Sequence, residues 1–166
     1  TEKKYLSIID AKTAELFRIS CFLPTIITDQ DKRTQKIFND FGFNFGMAFQ
    51  LSDDVLDYFG DSSKMGKSVG KDFFEGKVTY PVIHCFKKSD KKSKKIIAKL
   101  FFKRKRSKKD LALILDLMKK TNTYKSSIEF VGKYAEKAKT KINKFEGNKY
   151  KVYLDDLVDH LIIRDK

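Results

Sequence analysis

Residues 46–57 read Gly46-Met47-Ala48-Phe49-Gln50-Leu51-Ser52-Asp53-Asp54-Val55-Leu56-Asp57, and this stretch decides the fold class. A helix advances about 100° per residue, so with Asp53 at zero Gly46 falls near about 20°, Asp57 near about 40°, Gln50 near about 60° and Asp54 near about 100°. The three carboxylates share one arc. Phe38, Phe41, Phe45, Phe49, Ser52 and Leu56 take the opposite side. Such a helix is expected to be buried on most sides, with its acids turned toward a cavity. Two carboxylates about 5 Å apart repel by about 3 kcal/mol at an effective dielectric near ~20, so a cavity location calls for a cation. Hard oxygen donors of this kind suit Mg²⁺ completed by water and phosphate oxygens. An Asp-Asp-x-x-Asp spacing alone reads rather as an exposed acidic patch, and its neighbourhood is what points to a site.

Working outward, Asp29 or Asp31 can cap this helix, and Gly60-Asp61-Ser62-Ser63 ends it after Phe59 with turn chemistry. Glycines at 60, 66, 70 and 76 then punctuate a loop that carries Lys64, Lys67, Lys71 and Lys77. Loop cations there can meet a metal-bound diphosphate from the side opposite the acids, although each lysine taken singly reads rather as a solvated surface residue. Upstream, residues 5–22 repeat apolar positions at Ile8, Ile9, Leu16, Ile19 and Cys21 or Phe22 at helical spacing, and Pro24 is expected to kink or end that helix. Downstream, Val78 to Lys87 reads as strand or helix, and 93–103, 108–121, 124–145 and 149–163 read as amphipathic helices. No run alternates with a period of two between hairpin turns, so the expected fold is all-α.

The 166 residues carry a formal net charge of +14, and 41% of them are hydrophobic. One compact domain spanning 1–166 is the expectation. No apolar run reaches the length of a membrane span, and Thr1-Glu2-Lys3-Lys4 has no signal-peptide core, so the chain reads as soluble and intracellular. Between Lys87 and Lys109 stand 13 Lys and Arg against one Asp, so the excess charge is one segment. That segment reads as a solvated face, with peripheral contact to anionic lipid as its functional alternative. A basic helical nucleic-acid-binding module would need a recognition motif around it, and none is present. Cys21 and Cys85 have no metal-ligand spacing and read as reduced core residues, while His84 and His160 read as packing or surface residues.

Four strings carry a family resemblance. Phe49-Gln50-Leu51-Ser52-Asp53-Asp54-Val55-Leu56-Asp57-Tyr58-Phe59-Gly60-Asp61 is followed by Gly66-Lys67-Ser68-Val69-Gly70-Lys71-Asp72 and by Glu75-Gly76-Lys77-Val78-Thr79-Tyr80-Pro81. In that order these three resemble the second aspartate-rich motif of trans-polyprenyl diphosphate synthases. Ala11-Lys12-Thr13-Ala14-Glu15-Leu16-Phe17 is similar to the family's preceding Lys-Thr element. The pattern looks nearest to bacterial medium- and long-chain enzymes such as octaprenyl or decaprenyl diphosphate synthase.

The resemblance implies a helical isoprenoid-synthase fold and Mg²⁺-dependent elongation of an allylic diphosphate with isopentenyl diphosphate, for a quinone side chain. It implies metal binding at Asp53, with Asp54 and Asp57 contributing directly or through water. Lys12, Lys67 and Lys77 would contact diphosphate oxygens, Thr13 would sit beside the reacting carbons, and Gln50 would line the pocket. It implies a cytoplasmic homodimer. The family's first aspartate-rich motif lies upstream of the Lys-Thr element, and here only eleven residues precede Lys12. The expectation is therefore the C-terminal half of a catalytic domain, inactive alone. A noncatalytic subunit of a heteromeric prenyl synthase is the alternative.

Overall fold

The computed structural model describes residues 1–60, 69–145 and 149–163. The order is α1 (Glu2–Ile9), a π-helical turn (Asp10–Ala14), α2 (Glu15–Ile27), α3 (Lys32–Phe59), α4 (Lys71–Glu75), α5 (Tyr80–Lys88), α6 (Lys91–Phe102), α7 (Lys108–Lys120), α8 (Thr123–Ile142) and α9 (Lys151–Ile163). Among the described residues no strand occurs, and the ambiguous stretch after Val78 is helix α5 with Pro81 in its first turn, where a missing N–H costs nothing. By chain contacts the molecule divides into two compact units: Thr1–Tyr5 with Asp53–Ile128, and Leu6–Ser52 with the chain from Glu129.

Side-chain caps fix several helix starts. Asp31, not Asp29, caps α3, accepting from Thr34 N at 2.7 Å, while Asp29 takes a left-handed φ of 51° in the preceding turn. Asp90 accepts from Ser93 N at 2.7 Å, and Ser107 and Asp110 form a reciprocal capping box on α7.

In the first unit the core joins Tyr58, Phe73, Val82, Cys85, Ile97, Leu100, Ile114, Leu117 and Met118. Arg106, read from sequence as part of a solvated basic run, belongs to this packing. It donates to Leu100 O at 3.0 Å and Phe101 O at 2.7 Å, which are last-turn carbonyls of α6, and its guanidinium lies over the Phe73 and Phe101 rings.

In the second unit Ile9, Ala14, Ile37, Phe41, Met47, Ala48, Leu51, Val131, Ala135, Ile142 and Leu161 are buried. Gly42 and Gly46, one turn apart on α3, let the π turn and α2 lie against that helix. A β-carbon at Gly42 would fall 2.6 Å from Phe17 O, and one at Gly46 would fall 2.6 Å from Ala14 Cα. The helix does not end at Pro24, which sits inside α2. Its interruption is instead the π turn at Asp10–Ala14, which adds a residue to the register. Burial steps by five from Ile9 to Ala14, then by three to the half-buried Phe17. Leu16 (66% exposed), Ile19, Leu23, Ile26 and Ile27 (75% exposed) therefore turn outward together with Ile8.

Candidate active site

The residues proposed from sequence are described unit by unit. In the second unit Lys12 and Thr13 lie in the π turn. The contact at Gly46 brings this turn against α3 one helical turn before Gln50, and Thr13 Oγ1 donates to Gln50 Oε1 at 2.8 Å. The Lys-Thr element and the polar residue of the acidic helix thus share a hydrogen bond across 37 positions of chain. Lys12 is exposed. A π insertion displaces side chains from the regular helical register, and here it falls on the two residues singled out by sequence.

In the first unit the three carboxylates do not share one environment. Asp53 is exposed, whereas Asp54 is 4% exposed and accepts from Tyr5 Oη at 2.5 Å. The arc of about 100° between them is wide enough for the helix to turn one acid outward and the next into its packed side. Asp57 is half-buried and holds the start of α4: Asp72 N donates to its Oδ2 at 3.0 Å, and Gly70 N donates to its backbone carbonyl at 2.6 Å. Gly70 needs its positive φ of 86° for this turn. The end of the glycine-rich loop is thereby fastened to the acidic helix.

Burial pushes the Asp57 carboxyl up to about 6, with the Asp72 charge adding to the rise, backbone donors from Asp72 and Lys71 opposing it, and the Asp53 charge adding further. Lys77 reaches Glu75 at 2.6 Å and Asp72 at 3.2 Å, and those two partners raise its ammonium above the usual lysine range. Its charge is committed to the acids of its own turn. Lys67, with Lys64, lies outside the described residues.

Among the described residues no three His, Cys, Asp or Glu side chains converge into a group that would hold a metal ion. The donors present nevertheless fit a hard cation shared with a substrate. Asp53 offers an exposed carboxylate one turn from the half-buried Asp57, while Asp54 is engaged by Tyr5. Tyr5 and the Asp72 backbone N–H were not legible as partners of these acids, since Tyr5 stands 49 positions from Asp54 with no local spacing to betray it.

His84 is buried, its Nδ1 lies 3.2 Å from Thr123 Oγ1, and burial lowers its pKa. His160 Nδ1 lies 2.7 Å from Asp156 O. Cys85 is buried, Cys21 is half-buried, and both are free.

The described residues form a helical domain in which an acidic helix is fastened to a turn that carries glycines and lysines. The family model for polyprenyl synthetase matches residues 1–118, and the chain belongs to that family. Over 136 residues it is 35% identical to the geranylgeranyl diphosphate synthase of Sulfolobus acidocaldarius, covering 82% of this chain and 40% of that protein. It is 33% identical over 142 residues to heptaprenyl diphosphate synthase component 2 of Bacillus subtilis, covering 85% and 39% respectively. The crystal structure of a polyprenyl synthase from Caulobacter crescentus, complexed with calcium and isoprenyl diphosphate, superposes with a TM-score of 0.92 at 31% identity, covering all of this chain and 51% of that one. The chain spans about two-fifths to one-half of the length of these relatives.

Proposed function

We propose that this chain is the C-terminal part of a Mg²⁺-dependent prenyltransferase that extends an allylic diphosphate with isopentenyl diphosphate. The observation that carries this reading is the fastening of the glycine-rich turn to Asp57, which joins carboxylates and loop lysines in one local structure. Asp53 would hold the metal, with Asp57 contributing once a cation offsets its neighbours, and Asp54 keeping Tyr5 in place. When bound, Mg²⁺ would neutralise charge on the departing diphosphate.

The chain's own residues supply the rest. Lys12 and Lys67 bring positive charge to diphosphate oxygens, and Lys77 joins them on exchanging its contacts with Asp72 and Glu75 for phosphate. Thr13, its hydroxyl proton directed to Gln50, presents its oxygen lone pairs beside the reacting carbons. No side-chain nucleophile is needed, because loss of the diphosphate generates the electrophile and the released diphosphate can take the proton.

The resemblance to medium- and long-chain enzymes extends the reading to a polyprenyl product for a quinone side chain, made by a cytoplasmic homodimer. The chain alone is read as incomplete, because the family's first aspartate-rich motif has no counterpart in its sequence. The test is incorporation of labelled isopentenyl diphosphate into lipid with farnesyl diphosphate as primer. Expected is Mg²⁺-dependent activity from the complete gene product, its loss in Asp53→Ala, and none from the 166-residue chain. Activity in the short chain would overturn its incompleteness.

A second reading, a subunit of a heteromeric synthase, is supported by the likeness to a Bacillus subtilis protein described as component 2. A folded complete product that is inactive until a second protein is added would favour it.

A further inference from the structure

Lys77 follows α4, a helix of five residues that is too short to hold its own geometry. Its start is fastened by Asp57, which accepts from Asp72 N. Its far end has a second fastening that no local spacing connects to it. Arg106 stands 32 positions beyond Phe74, between α6 and α7, and its Nη1 donates to Phe74 O at 3.3 Å. The same guanidinium lies 5.8 Å from the centre of the Phe73 ring, which is fully buried in the core of the first unit. Gly76 ends α4 with a positive φ of 79°, and a β-carbon there would fall 2.9 Å from Arg106 Nη2 and 3.0 Å from Nη1. Glycine is required twice at this position, by its backbone conformation and by the approach of the guanidinium.

The guanidinium cannot easily give way to the turn. Its Nε donates to Leu100 O at 3.0 Å and its Nη2 to Phe101 O at 2.7 Å, so two of its nitrogens are committed to the end of α6 and the third to the end of α4. A planar fork with donors on every side is what lets one side chain join the ends of two helices. One residue past Gly76, Lys77 N donates to Asp72 O at 2.9 Å, so the lysine's backbone is carried by the same turn. The short helix is therefore clamped at both ends, and Lys77 leaves it at the end that Arg106 holds.

We propose that Arg106 is a positioning residue for diphosphate capture: through the Phe74 carbonyl and Gly76 it sets the place of the Lys77 turn relative to the acidic helix, without itself touching substrate. The proposal rests on the reading of Lys77 as a diphosphate contact. A lysine whose backbone is placed in advance loses less freedom on meeting a phosphate oxygen than one carried by a loose turn. Lysine at position 106 would keep the charge but could not span carbonyls of two helices.

The test is equilibrium binding of Mg²⁺-pyrophosphate to the complete gene product, well below the melting temperature of each variant, with Lys77→Met and Arg106→Lys combined in a double-mutant cycle. Lys77→Met should weaken binding about tenfold. Arg106→Lys should weaken it about fivefold when Lys77 is present and less than about twofold in the Lys77→Met background, because the turn then has no charge to place. Arg104→Lys, the same exchange at an exposed position, should leave binding unchanged.

Gly76→Ala approaches the same contact from the turn and leaves the donors to α6 in place, which keeps the test valid if the arginine variant fails to fold. It should weaken binding at least about threefold, again only while Lys77 is present. Unchanged affinity in Arg106→Lys or in Gly76→Ala, or an equal loss from Arg106→Lys with and without Lys77, would overturn the proposal and leave the diphosphate role of Lys77 standing. Undiminished binding by Lys77→Met would overturn that role, and the proposal with it.

Discussion

At the scale of single residues, the adjacent acids Asp53 and Asp54 have opposite fates on one helix. Asp54 is buried with a tyrosine hydroxyl as donor, so its carboxylate serves the packing of Tyr5. Tyr5→Phe withdraws that donor from a buried carboxylate and should cost about 1–3 kcal/mol in urea unfolding, while Asp53→Ala, on the exposed side, should change stability by less than about 0.5 kcal/mol.

Asp57 gives a pH prediction. Its folded pKa of about 6 lies above the ordinary 3.8. Between these values the folded chain holds a proton that the unfolded chain has released, so the contribution to stability rises as pH falls from about 6 to about 4. Above about 6 both states are ionised and the folded chain bears the full penalty. Discounted for half-exposure, the effect is about 1–2 kcal/mol. Asp57→Asn should be the more stable protein at pH 8, and the difference should shrink toward pH 4; a difference independent of pH in urea titrations would contradict the assignment.

At the scale of elements, close backbone approach sets the geometry around the Lys-Thr turn. Gly46 is the point where the π turn touches α3, and Ala14 Cα stands where a methyl would go. Gly46→Ala should cost about 1–3 kcal/mol and separate Thr13 from Gln50, which a double-mutant cycle with Thr13→Val would register as lost coupling. Arg106 ties the end of α6 to the aromatic core through two carbonyls and two rings. Arg106→Lys keeps the charge yet cannot reproduce the planar fork, so a loss of about 1–3 kcal/mol is expected, against almost none for the exposed Arg104→Lys. The sequence displayed both arginines as members of one charge run, because a run of charges carries no sign of which side chain folds back onto carbonyls.

At the scale of the whole molecule, two surface features stand out against a chain that spans about two-fifths to one-half of its relatives' length. One is the basic segment after Lys87. The other is the apolar stripe of Ile8, Leu16, Ile19, Leu23, Ile26 and Ile27, larger than the scattered exposed apolar residues normal on a protein surface. The chain should bind a hydrophobic dye and associate with rising concentration. Leu23→Lys with Ile27→Lys should reduce both in sedimentation velocity while leaving the melting temperature nearly unchanged. Among the described residues no helix is long and apolar enough to cross a membrane.

The sequence by itself determined the all-α class, most of the helices and the family, and it singled out the acids and the Lys-Thr pair as candidates. These are local quantities, written in period, spacing, caps and glycine placement. Only the tertiary structure decided that Asp54 turns inward to Tyr5, that Asp57 caps the backbone N–H of Asp72, that Lys77 is paired within its own turn, and that the helix takes a π turn through Lys12 and Thr13 and does not end at Pro24. Each depends on which distant segment occupies the space beside a side chain. A helical wheel gives an angle, but the neighbour that fills that angle is chosen by the packing of the chain as a whole.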